Sequence, residues 1–153
     1  MYSTTTTRHI AAPRSAVYRA LLDPEAVASW RVPDGMTSLV HEFDGREGGA
    51  FRVSLTYDSP AATGKSGAHT DTYHGRFVEL VPDERVVEVL EFESTDPALR
   101  GEMRMTTTLV DHGGGTNVTI IHDGVPDTIS AADNETGTRM ALDRLAALVE
   151  SND

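Results

Sequence analysis

The chain has 153 residues, about one domain's worth, with 39% hydrophobic residues and no cysteine. Its net charge is −11, and the split is uneven: residues 1–76 balance eight basic against eight acidic residues, whereas 77–153 carry five against sixteen. A single lysine and no clustered cations argue against nucleic acid or an anionic membrane as a partner, and the missing thiols exclude disulfides and thiolate catalysis. The first residues have neither a basic nor an apolar leader region, and the longest apolar run, Leu145–Val149, is far short of a membrane span. The expectation is a soluble, cytoplasmic protein.

Thr4–Ile10 reads as a strand with Thr6, Arg8 and Ile10 on one face. Pro13 suits the first turn of a helix, and Val17, Tyr18, Leu21 and Leu22 recur at helical spacing, predicting a short helix over 13–22. Asp23-Pro24 ends it and starts a second short helix reaching Trp30. Met36–Asp44 is predicted as a strand and Gly45–Gly49 as a turn. Phe51, Val53, Leu55 and Tyr57 alternate with Arg52, Ser54 and Thr56, the pattern of a half-buried strand. Residues 59–71 read as loop. Thr72–Val81 and Arg85–Glu93 form a hairpin about Pro82-Asp83-Glu84, and Glu102–Val110 and Thr116–His122 form another about three glycines. Asp133–Glu150 places Ala141, Leu142, Leu145, Leu148 and Val149 on one stripe of a long helix. One strand, two short helices, six strands and a long helix predict a single α+β domain over 1–153. A curved antiparallel sheet wraps the last helix, with an internal cavity between them.

The order of several short runs is similar to a known family. Ile10-Ala11-Ala12-Pro13, Val17, Leu21, Asp23-Pro24 and Trp30 are followed by Gly48-Gly49-Ala50-Phe51-Arg52 and Gly75–Leu80. Pro82–Val86, Gly115-Thr116, His122–Pro126 and Leu142–Leu145 continue the match to the last helix. Together they resemble the heat-shock-protein-ninety ATPase activator homologue family, within the START-related, birch-pollen-allergen-like superfamily. The resemblance implies the helix-grip fold: a seven-stranded antiparallel sheet gripping the C-terminal helix around a hydrophobic cavity. Many members carry Gly-Trp near the start of that helix, whereas here Gly137 precedes Thr138, which should enlarge or rewet one end of the cavity.

The candidate lining follows from the inward phase of the strands. Phe51, Val53, Leu55 and Tyr57 share one face, Leu90 and Phe92 another, Met103 and Met105 a third, and Val118, Ile120 and His122 a fourth. Tyr73 and Phe77 complete the set from the fourth strand, and Trp30 stands where the resemblance implies a cavity mouth. Two charged residues point inward by the same phase: Glu88, with Val86, Leu90 and Phe92, and Arg8, its candidate partner. His122 is read as a hydrogen-bonded core or rim histidine, or more sharply as a ligand-polarising group or weak acid/base.

Other chemistry is not indicated. His69–His74 matches no established zinc spacing, and the glycine clusters lack the strand–turn–helix setting of a phosphate cradle. Ser66 and Ser130 have no elbow or paired base. No catalytic set, metal or cofactor is expected. The leading expectation is a non-enzymatic protein that binds a small hydrophobic molecule. The alternatives are a cyclase/aromatase-like enzyme using the same cavity, with His122 or Glu88 as acid/base, and an interaction module acting on a chaperone ATPase. The resemblance also admits a homodimer.

Overall fold

Seven strands form one antiparallel sheet in the order β1-β7-β6-β5-β4-β3-β2. The computed structural model describes residues 1–58 and 70–151. In chain order the elements are β1 (Tyr2–Ile10), α1 (Arg14–Leu21), α2 (Pro24–Trp30), β2 (Met36–Phe43), β3 (Ala50–Tyr57), β4 (Thr70–Val81), β5 (Arg85–Phe92), β6 (Met103–His112), β7 (Gly115–Val125) and α3 (Ala131–Glu150). This is the α+β architecture that the sequence pattern predicts. Its strands run slightly longer: β1 starts at Tyr2, β7 extends to Val125, and Thr70 and Asp71, read as loop, open β4. The rest of that predicted loop, with His69, lies outside the described residues.

Local chemistry sets the helices. Asp23 caps α2 by accepting from the Glu25 amide at 3.0 Å, and Pro24 occupies its first turn. The indole of Trp30 donates to the Ala20 carbonyl at 3.0 Å, which ties the end of α2 to α1. Ser130 caps α3 through the Asp133 amide at 3.0 Å.

Inner-face rows cross the strands in register. One runs Phe77, Glu88, Met105, His122, Thr4; another runs Phe43, Phe51, Gly75, Leu90, Met103. A third runs Val40, Val53, Tyr73, Phe92. Register shifts interrupt β1, β2 and β4, and such irregularities increase local twist and help a sheet curl.

The apolar stripe of α3 occupies only its C-terminal half. Its buried residues, Leu142, Leu145, Ala146 and Val149, all lie in the C-terminal half, where they join the core with Ile10, Val17 and Val118. The N-terminal half has no buried residue and is held instead by polar contacts. Asn134 accepts from Thr4 Oγ1 at 2.5 Å, and the Tyr2 hydroxyl donates to the Ile129 carbonyl just before the helix. Half the helix is a packed core element; the other half roofs the open end of the sheet.

Candidate functional site between the sheet and the last helix

Beneath that roof lie two adjoining hollows. The inner one, about 140 Å³, is walled by Trp30, Arg31, Val32, Leu55, Tyr73, Leu90, Phe92, Met105, Ile120, His122 and the α3 residues Gly137, Thr138 and Ala141. The outer one is a cleft of about 660 Å³ lined by Met36, Tyr57, Asp71, Met103, Ile129, Asp133, Asn134 and Met140, among others. Leu55, Leu90, Phe92, His122 and Gly137 border both.

Ten of the fourteen candidate lining residues border one or both hollows: Trp30, Leu55, Tyr57, Tyr73, Leu90, Phe92, Met103, Met105, Ile120 and His122. The other four, Phe51, Val53, Phe77 and Val118, are buried in the core without reaching either. Inward phase alone does not separate the two groups, because a side chain's depth under the curve decides whether it meets space or another side chain. Phe51 packs against Phe77, Tyr73 and Phe43 at ring separations of 5.2, 6.1 and 6.4 Å.

Glu88 is buried, as its phase predicts, but Arg8 is not its partner. Arg8 reaches outward to Asp143 on α3 at 2.7 Å. Glu88 Oε1 instead lies 2.6 Å from Nη2 of Arg31, which follows α2. The contact is a close ion pair. The correction has a simple cause: Arg31 belongs to no periodic segment, and only the docking of α2 brings it under the sheet. Its guanidinium also sits 5.1 Å from the Tyr73 ring centre and 5.7 Å from that of Phe51, distances suited to cation–π attraction. Burial works against its charge, but Glu88 and Tyr73 outweigh that and hold its pKa above the ordinary value.

His122 has a defined tautomer. The Asn134 amide accepts from Thr4 at Oδ1, so its Nδ2 faces His122 Nδ1 at 3.2 Å and donates. Nδ1 is therefore the acceptor, and Nε2 carries the proton. Burial, with the positive charge of Arg31, pushes the imidazole pKa down to about 4, against a weaker upward pull from Asp123. At neutral pH it is an uncharged N–H donor. Nε2 is buried and has no hydrogen-bond partner among the described residues.

Tyr73 is the second such group, with its hydroxyl buried and without a partner among the described residues. Desolvation raises its pKa, with Arg31 pulling the other way and Glu88 adding to the rise, so it stays a neutral O–H donor. Asp71, buried at the outer cleft, is a residue that sequence reading placed in a loop and so missed. Its carboxylate accepts from the Tyr57 hydroxyl at 3.4 Å. Thr138 donates its hydroxyl to the Asn134 carbonyl at 2.8 Å and borders the inner hollow.

Among the described residues, no group of three or more His, Asp or Glu could hold a metal ion. His74 faces Glu93 and Glu91 at 3.0 and 3.3 Å on the opposite face of the sheet. Among them too, no helix is long and apolar enough to cross a membrane.

A family model described as "Activator of Hsp90 ATPase homolog 1-like protein" matches residues 11–150. The chain belongs to this family. Among solved structures, this Hsp90-activator-homologue-like chain is similar to protein CV1439 from Chromobacterium violaceum, at 35% identity and a TM-score of 0.86. That match covers 97% of this chain and 96% of the other. Two more distant likenesses show the same fold. A protein from Arthrobacter aurescens has 16% identity and a TM-score of 0.82, covering 97% of this chain and 86% of its own. An AHSA1-like protein from Aeromonas hydrophila has 19% identity and a TM-score of 0.73, covering 99% and 94%. Among curated proteins, none matches this chain. The helix-grip fold expected from the resemblance is the fold of this family member.

Proposed function

We propose that the protein binds a small, largely apolar molecule between the sheet and the N-terminal half of α3, without chemically transforming it. The observation that carries this reading is the unpacked half of α3. Before Ala141 the helix is mostly polar and carries no apolar stripe to pack on the sheet, and it buries nothing before Leu142. The space left beneath it is walled mainly by apolar and aromatic side chains with a few polar groups, the usual make-up of a small-molecule site. Binding is favoured over acid–base catalysis because Glu88 is ion-paired with Arg31 and His122 is held as a neutral donor.

The test uses the single tryptophan, Trp30, which borders the inner hollow. Native mass spectrometry of the purified protein should reveal a co-purifying small molecule, and re-adding it after extraction should shift Trp30 emission. A protein that emerges unliganded and binds no member of a broad panel of apolar compounds would count decisively against the proposal. The family description supports a second reading, action on a chaperone ATPase. That reading predicts stimulation of the matching chaperone's ATPase, and a clean null there disposes of it.

A further inference from the structure

We infer that the inner hollow selects a ring-sized apolar group bearing a neutral acceptor oxygen, a ketone-type carbonyl, which the Tyr73 hydroxyl and the His122 Nε2–H recognise as hydrogen-bond donors. This rests on the small-molecule reading above and narrows its ligand class.

Two donors in an otherwise apolar pocket are the starting point. A buried donor without a partner loses its hydration and gains nothing in return, so such groups are rare in native interiors. Tyr73 is 4% exposed, and its hydroxyl has no partner among the described residues. His122 Nε2 is in the same condition, and the Thr4–Asn134 relay holds its imidazole with the proton on that nitrogen. Both residues border the same inner hollow, from β4 and β7. Two buried donors without partners among the described residues, on side chains that border one hollow, call for an acceptor from outside the chain.

Charge selects the kind of acceptor. Arg31, the cation of the hollow, is matched by Glu88, so it offers an anion no unpaired positive charge. The outer cleft adds the carboxylates of Asp71 and Asp133, which disfavour an anionic group on the way in. Both open donors are themselves neutral. A neutral carbonyl accepts from them without bringing a charge into a buried space.

Size selects the rest. An apolar cavity of about 150 Å³ accommodates benzene, and the inner hollow is about 140 Å³. One ring with its oxygen fills it, and any further part of the molecule would lie in the outer cleft.

Three compounds of nearly one shape provide the test: acetophenone, α-methylstyrene, in which a methylene replaces the carbonyl oxygen, and benzoate. Each is titrated into the full-length protein and followed by amide chemical shifts. Acetophenone should bind about tenfold tighter than α-methylstyrene, the ratio expected from one or two neutral hydrogen bonds of about 1 kcal/mol each. Benzoate should bind more weakly than acetophenone. In Tyr73→Phe and His122→Leu the preference for acetophenone should shrink, and in the double variant it should approach one, with α-methylstyrene affinity retained. Equal binding of acetophenone and α-methylstyrene by the wild type, a preference that survives in the double variant, or tightest binding of benzoate overturns the inference while leaving apolar-ligand binding intact. Failure of all three compounds to bind overturns this ligand class; only failure of the broad apolar panel as well removes the underlying reading.

Discussion

Arg31 Nη2 and Glu88 Oε1 lie 2.6 Å apart beneath the sheet, with side-chain exposures of only 15% and 4%. The pair joins the segment after α2 to the middle of β5, which otherwise belong to separate parts of the chain. Its electrostatics reach both open donors. Arg31 lies against the Tyr73 ring and helps keep His122 uncharged, and Glu88 cancels its charge within the hollow. One ion pair therefore sets the polarity of the whole inner hollow.

Removing one partner of that pair should be costly. Arg31→Met leaves the Glu88 carboxylate buried and uncompensated, and a loss of about 3–5 kcal/mol is expected in urea unfolding at pH 7. Replacing both residues, as Arg31→Met with Glu88→Leu, should recover most of that stability, because an apolar pair removes both desolvation penalties. Recovery no better than in the single variant would mean that the pair supports the fold in some other way.

Stability should fall with acid through His122. Its folded pKa is about 4 against an ordinary 6.5, so between these values the unfolded chain binds more protons than the folded one. The contribution is full above pH 6.5 and is lost as pH falls towards 4, amounting to about 2–3 kcal/mol. Glu93 acts in a lower window: the Arg52 hydrogen bond, against burial and with help from His74, holds its pKa at about 2, so its contribution is lost only below 4.5. Denaturation midpoints from pH 7 to 4 should slope steeply in the wild type and less in His122→Leu. Equal slopes would show that the imidazole is not held neutral.

Gly75 admits no side chain. A Cβ there would stand 2.0 Å from the Val89 carbonyl oxygen and 2.8 Å from Phe51 Cζ. Gly75 pairs with Phe51 on one side and Leu90 on the other, so the aromatic ring covers bare backbone at the centre of the inner face. Gly75→Ala should destabilise by about 2–4 kcal/mol through forced movement of backbone and ring. A thermal melt within a degree of wild type would contradict that packing.

The roof of the hollow can be altered in two directions. A Cβ at Gly137 would meet nothing within 4 Å, so Gly137→Ala should raise stability by about 1 kcal/mol through helix propensity alone. Thr138→Trp would place an indole at the border of the inner hollow. It should leave the fold intact, add a second emission component, and abolish binding of ring-sized ligands. Undiminished binding in Thr138→Trp would place the ligand elsewhere.

Tyr73→Phe should not weaken the unliganded protein. Its hydroxyl has no partner among the described residues, so removing it eliminates a desolvation penalty and no hydrogen bond. A midpoint equal to or up to about 1 kcal/mol above wild type is expected. A clear loss of stability would reveal a bond to that hydroxyl.

Alternation and capping made the elements legible from the sequence. The two-residue period of Phe51 to Tyr57, the Asp23-Pro24 break and the apolar stripe ending α3 act over a few residues, where steric preference and apolar burial have one answer. The inward direction of Glu88 and His122 followed from the same period. Their partners did not. Arg31 reaches Glu88 across 57 positions, and Asn134 meets His122 because the roof helix folds back over β7. Those meetings depend on how far the sheet curls and where α2 and α3 dock, and neither Arg31 nor Asn134 stands in a local pattern that marks it as a partner. The same curvature separates Phe51, Val53, Phe77 and Val118, which fill the core, from Tyr73, Leu90 and Met105, which border open space, although period alone treats them alike.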